Sequence, residues 1–90
     1  MDEVEGTIYD AGVAVVEGTT VLLDGATDGP GWHGHVALPL DMILEPGVEM
    51  RLELADGRSG LIEVAKAPTI EGDRVLHVLT GLGPLVRRRP

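Results

Sequence analysis

This chain of 90 residues contains no cysteine and no phenylalanine, and Tyr9 and Trp32 are its only aromatic residues. The absence of cysteine excludes a disulfide framework and a thiolate metal site. Val, Leu and Ile, 27 residues together, must therefore supply most of the hydrophobic core. A chain of this length forms one small domain at most. We predict a single aliphatic core, with the limited stability of a domain that buries little surface.

Basic residues are missing from the first part of the chain. Residues 1–50 contain ten acidic residues and no Lys or Arg, whereas residues 51–90 contain five acidic residues and all seven basic ones. The net charge is −8, and nucleic-acid binding needs a basic surface, so we expect no nucleic-acid partner. An acidic half is suited to a basic protein partner or to the Arg87–Arg89 tail of a neighbouring copy. The alternative is that the acidic residues only keep a small apolar domain in solution.

Long hydrophobic runs are also missing. The longest uninterrupted apolar run has four residues, which is too short to span a bilayer. The acidic start, Met1 to Glu5, lacks the basic and apolar pattern of a secretory signal. We therefore predict a cytoplasmic protein without a membrane partner.

Thirteen Gly and six Pro residues interrupt the chain too often for long helices. The strongest pattern begins at Val48, where apolar and charged residues alternate with a period of two up to the hairpin signal Asp56-Gly57. Seven runs are predicted as strands: Val4–Tyr9, Val13–Glu17, Thr19–Leu23, His33–Leu38, Val48–Ala55, Ser59–Lys66 and Arg74–Thr80. The prediction is an all-β fold, a small closed or partly open antiparallel β-barrel of about six to seven short strands, with a sandwich as the alternative. Residues 1–86 would form this single domain, and residues 87–90 a basic, disordered tail.

Some predicted strands are apolar on both faces. The last one places Val75 and Leu79 on one side and Leu76 and Val78 on the other. A single-layer barrel needs only one apolar face, so the second face must be covered by Leu40–Leu44 or by another subunit. We expect a homo-oligomer.

Trp32, His33 and His35 form the one constellation that indicates a binding site. Residues i and i+2 of a strand share a face, so both imidazoles would point the same way and could supply half of a metal site, with Asp28 or Asp41 as a third ligand. A lone Trp at a junction between a loop and a strand either closes the core or anchors a partner. The alternative for the two histidines is a solvated surface position. No third ligand is identified, so we assign these residues to ligand or partner binding and not to a metal.

No pattern of catalytic residues is present. Ser59 is the only serine and lies beside the hairpin turn, and His77 lies between Val75 and Leu79 as a buried or interfacial residue. Gly81-Leu82-Gly83 lacks the Lys-Ser/Thr of a phosphate-binding loop. We therefore expect no enzymatic activity and no cofactor.

The stretch from Leu44 to Gly81 resembles PilZ domains, small barrels that bind a cyclic dinucleotide, in its order of turns and strands. Their RxxxR motif is absent, because residues 1–50 contain no Arg. Their [DN]xSxxG motif is absent too, because Asp56-Gly57-Arg58-Ser59 has a different spacing. The chain is therefore not assigned to that family.

These observations predict a non-catalytic protein-interaction, adaptor or assembly module that self-associates through a second apolar sheet face. The alternative is a barrel that binds a small ligand or a metal at the junction formed by Trp32, His33 and His35.

Overall fold

The computed structural model describes residues 2–65 and 68–87, and all regular elements in them are β-strands. The strands are β1 (Asp2–Asp10), β2 (Val13–Asp24), β3 (His33–Pro39), β4 (Glu49–Leu54), β5 (Arg58–Val64), β6 (Thr69–Glu71), β7 (Arg74–Gly81) and β8 (Val86–Arg87). The predicted all-β class is confirmed. Within the described residues there is no helix that could cross a membrane.

Six strands close into an antiparallel barrel in the order β1, β2, β3, β7, β5, β4 and back to β1. The pairing of β7 with β5 completes the ring. The short strands β6 and β8 lie outside it, where they pair with β7 and β5. The predicted barrel is therefore confirmed. Closure satisfies backbone groups that a small open sheet would leave unpaired at its edges.

The barrel interior is filled by alternate residues of the strands, as a period of two requires. The alternation predicted from Val48 to Leu54 places Met50, Leu52 and Leu54 inside. The hairpin predicted at Asp56-Gly57 is also present, with φ of 95° at Gly57. The buried apolar side chains are Ile8, Val16, Val21, Leu23, Trp32, Val36, Leu38, Met50, Leu52, Leu54, Ile62, Val64, Val75, Leu79 and Leu85.

Strand β2 is continuous through Gly18, although the sequence predicted two strands, Val13–Glu17 and Thr19–Leu23. Gly18 has φ of 61°, and the register of β2 against β1 shifts at this point. An extra residue in one strand forms a β-bulge, which bends a strand without ending it. The prediction that Gly18 separates two strands is therefore wrong. The bent β2 pairs with β3 only through its last three residues, Leu22–Asp24.

The turn between β1 and β2 consists of Ala11 and Gly12, with φ of 51° and 83°. Two positive φ angles in a two-residue hairpin loop are typical of a type I′ turn, whose twist matches the flanking strands. Ala11 is the only non-glycine residue with positive φ among the described residues. Its Cβ makes this conformation unfavourable by about 1 kcal/mol.

Replacing Ala11 with Asn should therefore raise the free energy of unfolding by about 0.5–1 kcal/mol, because Asn tolerates positive φ better. Urea denaturation followed by circular dichroism measures the change. Gly12→Ala is the matched control and should lower the free energy of unfolding, because it adds a Cβ at φ of 83°. A lower urea midpoint for Ala11→Asn would contradict strain at this turn.

The connection from β3 to β4 differs from its prediction. Leu40–Leu44 was expected to be buried or to form one helical turn, but Leu40, Met42 and Ile43 are exposed and only Leu44 packs against the core. The segment starts with a turn in which the Met42 N–H donates to the Pro39 oxygen at 2.9 Å. Pro residues at both ends keep the backbone irregular, so consecutive apolar side chains point in different directions. We call residues 40–46 the crossing segment.

The chain end differs from its prediction at one residue. Arg87, the first residue of the predicted disordered tail, lies in β8, where it pairs with Arg58 and donates to the Asp56 carbonyl oxygen. Arg88, Arg89 and Pro90 lie outside the described residues, as does Lys66, the predicted end of the sixth strand. Strands β6 and β8 were not predicted, because two or three residues are too few to show a period.

Candidate functional site

Trp32 points into the barrel. Its side chain is 1% exposed and belongs to the core cluster. The indole N–H donates to the Gly83 carbonyl oxygen at 2.7 Å, and the Trp32 carbonyl oxygen accepts from the Gly81 N–H at 2.9 Å. These bonds fasten the loop before β3 to the end of β7. Of the two roles considered for Trp32, this geometry corresponds to closure of the core.

Gly81 provides the space for this indole. A Cβ added to Gly81 would lie 2.1 Å from Trp32 Cε2 and 2.2 Å from Nε1, far inside contact distance. Only glycine at this position lets the ring approach the backbone of β7 so closely. The sequence showed Gly81 only as part of a closing Gly-Leu-Gly segment and carried no signal of this contact.

His33 and His35 point to the outside of the barrel, as alternation with the buried Val36 and Leu38 predicts. His33 is exposed, whereas His35 is half-buried. Trp32 faces the interior, so the three predicted site residues do not form one surface.

A metal site at these histidines has no third ligand in the part of the chain that the structure describes. Residues 2–65 and 68–87 contain no group of three or more His, Cys, Asp or Glu side chains that could hold a metal ion. Asp28 and Asp41, the suggested third ligands, therefore do not complete a site with His33 and His35.

His35 belongs instead to a groove on the outer surface of the barrel, with a volume of about 960 Å3. His35 lies opposite Leu22 of β2 on one side and Val78 of β7 on the other. Ala37, the next outward residue of β3, lies opposite Leu76. We call this surface the outer groove; its apolar floor consists of Leu22, Ala37, Leu76 and Val78 together with His35, and its rim includes Glu3, Thr20, Thr69, Glu71 and Arg74.

The outer groove is the second apolar face that the sequence indicated for the last long strand. Leu76 and Val78 line it, whereas Val75 and Leu79 of the same strand are buried in the barrel. Leu22, Ala37 and His35 were not predicted to join them, because the register that aligns three strands is not visible in the sequence. The crossing segment does not line the groove, so this face is not covered by Leu40–Leu44.

The charges around the groove are mixed. Glu3 and Glu71 stand on opposite walls, since they belong to β1 and β6, and Arg74 lies across from Glu71 on β7. The first half of the chain has no base at all, so Arg74 makes this rim different from the acidic surface of β1 and β2. A patch that carries both signs can complement itself when two copies meet about a two-fold axis.

No protein-family model, curated protein sequence or solved structure matches this chain. The functional argument therefore depends on the geometry of the barrel and its outer groove.

Proposed function

We propose that this domain is a non-catalytic assembly module that binds a second copy of itself through the outer groove. The observation that carries the proposal is the apolar floor of the groove. Leu22 on β2 and Leu76 and Val78 on β7 contribute nothing to the barrel interior, and together with His35 and Ala37 of the intervening β3 they form one outward surface. Apolar area of this kind gains free energy when it leaves water, about 25 cal/mol per Å2.

A second copy suits this surface for two reasons. The crossing segment, the intramolecular cover suggested by the sequence, lies elsewhere, which leaves the floor of the groove open to a second copy. The rim carries Arg74 as well as Glu3 and Glu71, and a two-fold contact can place each sign against the other. If the partner were strongly basic, we would expect the charged residues of the rim to be acidic throughout.

Leu76→Glu should weaken self-association at least about 10-fold, because it places a charge without a partner in an apolar contact. Sedimentation equilibrium between about 1 and 100 µM measures the dissociation constant. Leu61→Glu is the control: Leu61 is also an outward-facing leucine, more exposed than Leu76, but it lies on β5 away from the groove. A wild-type protein that remains monomeric over this range, or two variants with equal effects, would contradict the proposal.

Salt distinguishes a second copy from a basic partner. Two copies with a net charge of −8 each repel one another at long range, so added salt should strengthen self-association. A complex between the acidic half and a basic protein should become weaker as salt is added. Self-association that weakens with salt would indicate that ionic contacts, and not the apolar floor, hold the copies together.

A further inference from the structure

His77 is a buried histidine with an incomplete set of hydrogen bonds. It is 0% exposed and faces the interior of the barrel between Val75 and Leu79. Its Nε2 accepts a hydrogen bond from the Leu44 N–H at 3.0 Å, while its Nδ1 is buried without a hydrogen-bond partner. The ring must therefore be neutral, with the lone pair on Nε2 and the proton on Nδ1.

This hydrogen bond holds the middle of the crossing segment. Toward the start of the segment the Met42 N–H bonds to the Pro39 oxygen, and just beyond its end the Gly47 N–H bonds to the Val64 oxygen at 3.1 Å. Between these two points, the bond from Leu44 to His77 is the hydrogen bond that ties the described backbone to the barrel. Most of the side chains of the segment are exposed and add little packing.

We propose that His77 is an acid-sensitive latch. Its protonation breaks the hydrogen bond from the Leu44 N–H and so releases the crossing segment from the barrel. A protonated imidazole has N–H donors at both nitrogens, so Nε2 would oppose the Leu44 N–H instead of accepting from it. The charge would also be enclosed in an apolar core without an anionic partner. Release opens the cleft beneath the segment, where Val15, Val16 and Met50 lie against Leu44.

The surroundings of His77 offer little compensation for this charge. The Leu44 N–H donates to its Nε2, the Val75 backbone is the one group that favours the charged ring, and among the described residues His77 has no ion pair. The charged or titratable residues on the elements around it are Asp41 and Glu45 in the crossing segment, Arg58 and Glu63 on β5, Glu71 on β6, Arg74 on β7, and His33 and His35 on the opposite face of β3. Burial lowers the pKa of His77 below its ordinary value of 6.5, and the Val75 backbone offsets part of this effect.

The direction of the pH dependence follows from that lowering. Because the folded state disfavours the proton, the contribution of the latch is complete above about pH 6.5 and is lost as the pH falls through the lower pKa of the folded protein. Asp56 behaves differently. The hydrogen bond from Arg58 holds the pKa of Asp56 below 3.8, so its contribution is lost only in stronger acid. Between these two ranges the exchange of the Leu44 amide, which bonds directly to His77, reports on His77.

Hydrogen exchange of the Leu44 and Gly47 amides tests the latch, when it is compared at about pH 7.5 and at a pH below the midpoint at which the His77 imidazole titrates by NMR. After correction for intrinsic exchange, we expect protection in the wild type to fall at least about 10-fold at the lower pH. His77→Gln should keep its protection at both values, because the Gln side-chain oxygen can accept from Leu44 but does not titrate. His33→Gln, which removes an exposed histidine, should behave like the wild type. Equal protection of the wild type at both values, or the same loss in His77→Gln, would overturn the proposal.

A second measurement applies even if His77→Gln does not fold. In a pH titration of the wild type by NMR, the His77 imidazole and the Leu44 amide should change with the same midpoint. Different midpoints would show that protonation does not control this hydrogen bond and would overturn the latch.

Discussion

Gly81→Ala should lower the free energy of unfolding by about 2–4 kcal/mol, because the added methyl group cannot coexist with the Trp32 ring in its present position. The new Cβ would lie 2.1 Å from Trp32 Cε2. Either the indole leaves the core or β7 moves away from β3, and both lose packing. Urea denaturation measures the loss, and the fluorescence of the single tryptophan should shift to longer wavelength as the ring becomes hydrated.

Gly83→Ala is the matched control for this experiment. Gly83 is two residues away, has no heavy atom within 4 Å of an added Cβ and has no positive φ. Its substitution should change the free energy of unfolding by less than about 0.5 kcal/mol. Equal losses for the two variants would show that general stiffening of the segment, and not contact with the indole, explains the effect.

Trp32→Ala should cost about 3–5 kcal/mol, since it removes the largest buried side chain and leaves a cavity at the end of the barrel. A domain of this size has a free energy of unfolding of about 0.05–0.15 kcal/mol per residue, so at the low end of this range the loss would equal the whole free energy of unfolding. Circular dichroism has to replace fluorescence as the probe. Trp32→Phe keeps a ring but loses the bond to the Gly83 oxygen, and its cost should be smaller.

The two substitutions should not be additive. Once Trp32 is Ala, the space beside Gly81 is free, and Gly81→Ala should cost at least about 1 kcal/mol less than it does in the wild type. A double-mutant cycle measures this coupling. If Trp32→Ala left stability unchanged but abolished binding to another molecule, the ring would be a partner anchor, contrary to its buried position.

The strands could be predicted where local alternation is strong. From Val48 to Leu54 apolar and charged residues alternate, and this period alone places alternate side chains inside the barrel. The Asp56-Gly57 turn likewise depends on two adjacent residues. The strand end predicted at Gly18 is wrong, because glycine is the residue type that suits a positive φ both in a bulge and in a turn. Only the continued pairing of β2 with β1 distinguishes the two.

The candidate site was predictable in part. Alternation placed His33 and His35 outside the barrel, but it does not apply to Trp32, which lies in the loop before β3 and turns into the core. The groove needs three strands in register, with Leu22 beside His35 and His35 beside Val78. Strand register is set by turns, bulges and closure of the whole barrel, so it cannot be deduced from the individual strands.

By itself, the amino-acid sequence determined the acidic first half, the aliphatic core, the all-β class and the two-faced character of β7, because these follow from composition and from a period that each strand carries internally. The tertiary structure decided which glycine must remain glycine, which backbone group the buried His77 bonds and which side of the barrel has an apolar groove. Gly81 meets Trp32, and His77 meets Leu44, only when the barrel closes. Such contacts join residues far apart in the chain, and no local period encodes them.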